Sequence, residues 1–179
     1  MLSGFTVIPY VSLYLTGNVG LAERDLPLIY LAGGVATFFS ARYFGRWSDR
    51  IGKREAYRRI AFASLGPLLL VTHAPVLPLA AIIALAVLFV VFVSGRMVPA
   101  MAVVTSAAPP RLRGAFMTLN GSVMQIGAGL SAAISGAVIA RDVGGALLHY
   151  DRVGYFAAVA TLAAMAWVGR IRTMDRAER

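Results

Sequence analysis

The chain has 179 residues, of which 59% are hydrophobic and only 14% are charged, where a soluble domain of this size carries about 25% charged residues. That excludes an ordinary soluble globular domain and puts the chain in the membrane class. The net charge of +9 is no signature of nucleic-acid binding here, because the basic residues gather at the ends of apolar runs, where membrane topology puts them.

Six apolar segments follow one another, at about 1–17, 27–45, 57–74, 77–106, 114–140 and 152–170. They are rich in Ala and Leu and lack the period-two alternation of strands, so each reads as a helix. A bilayer core of about 30 Å needs about 20 helical residues, and five of the six reach or approach that length. The fold class expected is therefore an all-α membrane protein with six transmembrane helices, a single bundle over 1–170 and a tail over 171–179. The first segment is apolar from its start and its first basic residue is Arg24, which is not the charged beginning of a signal peptide.

Orientation follows from the Arg and Lys residues. Thirteen of the 17 fall in the connection around Arg42–Arg59, beside Arg111 and Arg113, or in the tail, while Arg24, Arg141 and Arg152 fall on the other side. The positive-inside rule then makes the thirteen, and both termini, cytoplasmic.

Within the first segment Tyr10 and Tyr14 recur at a spacing of four, with Asn18 next in line. They form one polar face that is either an interfacial aromatic belt or part of a cavity wall. The stretch "GRWSDRIGKR", Gly45 to Arg54, is the most charged in the chain. As a plain topology anchor it would need cations alone. It also contains an acid, Asp49, placed to pair or to cap a neighbouring helix, and two glycines. Gly45 would allow a close helix approach and Gly52 a turn with positive φ.

Arg96 lies inside the fourth apolar run. An intramembrane Arg costs about 2.5–3.5 kcal/mol even on the lenient insertion scale, so it faces a cavity or partner unless it snorkels to the interface. In the fifth segment Asn120 and Gln125 are amides in an apolar setting, where an unpaired amide is expensive. They read equally as helix-to-helix hydrogen bonds or as ligand contacts. Gly127, Ser131 and Ser135 share one face of that segment and suit close helix packing. "SGFTVIP" near the start and "SGRMVP" at Ser94–Pro99 form a faint inverted repeat of the kind found in secondary transporters.

Several chemistries are poorly supported. The chain contains no cysteine, and its two histidines, His73 and His149, fall in short connections. No metal or cofactor is expected, and an intramembrane serine protease would need a His on a helix facing its Ser. Every Asp and Glu lies in a connection or the tail, so no mid-membrane carboxylate is available to carry a proton.

The order G-x-x-x-D-R-x-G-K-R, carried by Gly45, Asp49, Arg50, Gly52, Lys53 and Arg54, resembles the signature loop of the major facilitator superfamily. In that family it joins helices two and three and often recurs between eight and nine. The resemblance implies that these six residues form a cytoplasmic conformational latch. "PPRLRGAFMTLNGSVMQIGAGLSAAISG" is similar to the family's P-x-x-R-G turn before a Gly-rich helix. The G-x-x-x-G-P-x-x-G-G pattern of helix five in drug antiporters is absent, so the carboxyl-terminal half fits better. "GFTVIPYVSLYLTGNVGL" also resembles helix seven of bacterial drug or sugar efflux members.

The resemblance thus covers nearly the whole chain but half the family's fold, helices seven to twelve of twelve. It implies a secondary transporter working by alternating access, with proton-coupled efflux of a small molecule such as a drug or sugar. Its setting would be a bacterial inner membrane. Tyr10, Tyr14, Arg96, Asn120 and Gln125 are the cavity candidates. The partners expected are the lipid bilayer, a small-molecule substrate, and an amino-terminal six-helix half or a second copy. The first segment spans only about 24 Å from Met1 to Thr16, and the expectation is that the chain is a fragment. The alternative is a standalone six-helix scaffold or a self-pairing half-transporter.

Overall fold

The computed structural model describes residues 2–170, and the tail expected over 171–179 lies outside them. The described chain is helical apart from short connections and one two-residue strand pairing. Its helices are α1 (Leu2–Gly17), α2 (Leu26–Ile51), α3 (Lys53–Thr72), α4 (Leu79–Gly95), α5 (Met97–Ser106), α6 (Arg113–Val138) and α7 (Tyr150–Val168). Each apolar segment has its helical rod. The continuous runs Leu79–Ser106 and Arg113–Val138 are long and apolar enough to cross a membrane.

Three boundaries differ from the sequence expectation, each for a physical reason. The fourth segment is interrupted once, with Arg96 at the junction of α4 and α5. Pro99 lacks the N–H that would bond the Gly95 carbonyl, and its ring crowds that carbonyl. The helix nevertheless carries through, since Arg96 N–H donates to Phe92 O and Ala100 N–H to Arg96 O. The charged "loop" at 45–54 is no loop. α2 runs through Gly45, Asp49 and Arg50 to Ile51, α3 starts at Lys53, and Gly52 alone makes the turn at φ 91°. Arg, Trp, Ser and Asp tolerate helix well enough that charge by itself does not end one.

Gly45 is not the site of close approach. A methyl group there would meet only Val98, at an ordinary 3.9 Å, whereas one at Gly95 would run into the Phe44 ring. Asp49 does not cap α3 either, whose N-cap is Gly52 with no side-chain bond.

The fifth segment stops at Val138 instead of 140, and a small hairpin follows. Strand β1 (Ala140–Arg141) pairs antiparallel with β2 (Leu147–Leu148). Asn18, just beyond α1, clamps it. Its Nδ2 donates to Leu147 O at 3.0 Å and its Oδ1 accepts from Leu147 N–H at 2.8 Å.

The core is built by α1, α3, α4 and α7, with Val7, Leu15, Leu68, Ile82, Phe89 and Ala157 at its centre. The helix pairings form a pattern. α1 packs on α6 and α7, α4 packs on α2 and α3, and α3 packs on α7. Exchanging α1 with α4–α5, α2 with α6 and α3 with α7 returns the same set, as two inverted three-helix units would. The two short repeats also meet. Ser3 bonds Arg96, and a methyl at Gly4 would lie 3.3 Å from Val93. The match is one of pattern, since α2 and α3 touch α4–α5 and each other more closely than α6 and α7 touch α1 and each other. Large apolar residues point outward from the rods, among them Phe38, Phe39, Leu130 and Trp167.

Candidate functional site: the Arg96 cleft

The loose pairing of α6 with α7 leaves a cleft of about 460 Å³, within the ~300–1,000 Å³ range of small-molecule sites. α6 buries only Ser131 and Ser135, in its second half. Its first half therefore stands off the bundle and presents Asn120 and Met124 to the cleft, with Gly127 just beyond them and Ala160, Thr161 and Ala164 of α7 also lining it.

Arg96 forms the floor. Only 5% of it is exposed, and it sits about 15 Å of helix short of Ser106. Its Nη1 donates to Thr161 Oγ1 at 3.1 Å and its Nη2 to Ser3 Oγ at 3.2 Å. The two hydroxyls lie 2.7 Å apart, and Thr161 is also within 2.8 Å of the Ala157 carbonyl. The guanidinium is thus turned into the bundle and tied to α1 and α7 rather than extended to an interface. Among the described residues no carboxylate pairs with it, and both its hydrogen-bond partners are neutral.

Tyr57, from the first turns of α3, lines the same wall. A smaller space of about 120 Å³ continues from it between α5 and α6, edged by Met97, Met101 and Met124. Asn120 belongs to both spaces, and its amide Nδ2 donates to the Met124 sulfur at 3.4 Å. Thioethers are flexible and polarisable, suited to apolar ligands of varied shape.

Of the five cavity residues expected from the sequence, Arg96 and Asn120 come together here. Tyr10 packs towards α6, with its hydroxyl 3.5 Å from Ala132 O. Tyr14 is in the core, stacked on Tyr150 at 4.5 Å with its hydroxyl donating to Ala74 O. Gln125 is exposed on another face of α6. Ser131 and Ser135 are fully buried, and Ser135 donates to Thr6 O of α1 at 2.9 Å, while Gly127 edges the cleft. In the charged segment Asp49, Arg50 and Gly52 are exposed, and Arg59 and Glu55 form an ion pair one turn into α3.

Ser3, Tyr57, Met124 and Thr161 were not legible in the sequence as site residues. They come from four helices, and only Met124 carried a local signal, a helical turn beyond Asn120.

No curated protein matches the chain. The family model of the Major Facilitator Superfamily matches residues 1–178. This chain, with its six helical rods, its apolar surface and its buried arginine, belongs to the Major Facilitator Superfamily, whose members are integral-membrane transporters and not enzymes.

Proposed function

We propose that the chain forms one six-span wall of a secondary transporter and that the Arg96 cleft is where its substrate is held. The observation that carries this reading is the buried Arg96 guanidinium, held by Thr161 and Ser3 at the floor of an open cleft. A bilayer-embedded arginine is costly unless it meets water or a partner, so its position marks a solute path. Around it the helices cross the inner membrane of a bacterium with both termini in the cytoplasm. A facing six-helix body, an amino-terminal half or a second copy, closes the other side. Substrate is exposed to each side of the membrane in turn as one body rocks against the other.

The finer reading is proton-coupled efflux of a small molecule such as a drug or sugar. Asp49, Glu55 and Asp151, the acids within the described α-helices, sit at helix ends. The proton is then taken up by a carboxylate outside this bundle. Asp49, Arg50, Gly52, Lys53 and Arg54 form the cytoplasmic latch as two helix ends meeting at a glycine turn, and Gly45 lies one turn behind them.

The chain's lack of cysteine makes a direct test simple. A single Cys replacing Ala160 in the cleft reacts with a membrane-impermeant thiol reagent, while a single Cys replacing Phe38 on the outer apolar face does not. An Ala160→Cys variant that inserts normally and stays unlabelled would remove the solute path.

A further inference from the structure

We infer that the cleft selects an amphipathic anion, a carboxylate or phosphate head carrying an apolar chain. This deepens the reading of the cleft as the substrate site and rests on it. Arg96 supplies a full positive charge that its neighbours do not cancel, because Ser3 and Thr161 are neutral hydroxyls and no carboxylate of the described residues pairs with it. A cation buried without a counter-ion is a standing cost, and an arriving anion relieves it. The guanidinium's planar fork of donors matches a carboxylate or phosphate better than any neutral group. Around it, Tyr57 and Asn120 line both spaces with Arg96 and add a hydroxyl and an amide.

The rest of the wall is apolar. Val123, Ile126, Leu130, Ala160 and Ala164 line it from α6 and α7. The cleft therefore sets one buried cation beside an apolar wall, which suits an anionic head on a hydrocarbon chain and disfavours a cation. An anionic lipid and a free fatty-acid-like solute share this chemistry, and the test separates them.

The purified 179-residue chain in phosphatidylcholine nanodiscs is titrated with radiolabelled octanoate, with empty discs as the blank and octanol as the neutral control. Octanoate binds saturably, octanol does not, and Arg96→Gln weakens octanoate binding about ten- to a hundredfold, the range expected for hydrogen bonds to a charged group. Ile126→Trp fills part of the apolar lining from an exposed position (64% exposed) and lowers octanoate affinity without altering Arg96. It serves as the deciding variant if Arg96→Gln fails to insert.

Discs containing phosphatidylglycerol identify the source. Loss of octanoate binding there assigns the cleft to a membrane lipid, and unchanged binding assigns it to a free solute; both support the anionic class. Equal binding of octanol and octanoate overturns it, as does no saturable octanoate binding. Octanoate binding untouched in Arg96→Gln, or in Ile126→Trp where Arg96→Gln does not insert, overturns it too. A labelled Ala160→Cys together with any of those results would sink the anion preference alone and leave the solute path standing.

Discussion

Gly154 of α7 lies so close against Thr72 of α3 that a methyl group there would overlap the threonine hydroxyl and Cβ. Thr72 is buried and its hydroxyl is held by the Leu68 and Leu69 carbonyls, so it has little room to turn. Gly154→Ala is expected to destabilise the bundle by about 1–3 kcal/mol through overpacking, read as a lower unfolding midpoint in detergent. An unchanged midpoint would mean that α3 and α7 separate at little cost.

Asn18 offers a second test at the same scale. Its amide replaces a strand partner for Leu147, donating to one backbone group and accepting from the other. Asn18→Ala leaves both backbone groups without that partner, a loss of about 1–3 kcal/mol. Hydrogen exchange at the Leu147 amide should quicken markedly in the variant, and protection equal to the parent's would contradict the clamp. Neither role could be read from the sequence. Asn18 looked like the outer end of a tyrosine stripe, and its partner is 129 residues away.

Among the helices, the existence of each rod was legible because long apolar runs of Ala and Leu have no other stable form in a membrane. The ends were less so. α2 outlasts its apolar stretch by carrying Arg42, Arg46, Asp49 and Arg50 on its last turns, and only Gly52, with its positive φ, turns the chain. The hairpin after α6 was missed because two-residue strands leave no periodic signal. The interruption at Arg96 was implicit in Pro99, four residues past Gly95. Its consequence depends on which helices stand beside it, and that is a tertiary fact.

The two helix ends at Gly52 bear on the latch. Asp49 is exposed one turn before the glycine, where it can exchange partners without unfolding either helix. Asp49→Asn in the whole transporter is expected to lower transport several-fold while expression and insertion stay normal. Transport at the parent's rate would return the segment to the role of a topology anchor.

For the whole molecule, the pairing of α1 with α6 and α7 against α4 with α2 and α3 gives the bundle an approximate internal two-fold relation. The cleft opens between α6 and α7, with Arg96 beneath. Family membership follows from the match over residues 1–178, and the signature order Gly45 to Arg54 already pointed there. Half of the site was legible in the same way. Arg96 and Asn120 stood out because polar groups inside an apolar run are expensive. Tyr57 and Thr161 did not, since a tyrosine near a charged helix end and a threonine in a helix are commonplace. Only the packing of α3 against α4–α5, and of α7 against α1 and α3, brings them to the arginine.

The central claim is that the Arg96 cleft is open to each side of the membrane in turn. The most direct measurement is the sidedness of thiol labelling at Ala160→Cys, the sole cysteine of this chain, in right-side-out and inside-out vesicles from cells making the whole transporter, with its other cysteines removed. Alternating access predicts labelling by an impermeant reagent in both kinds of vesicle, slowed in both by Arg96-directed ligands such as octanoate. Labelling confined to one kind of vesicle, whatever solute is present, would contradict the account.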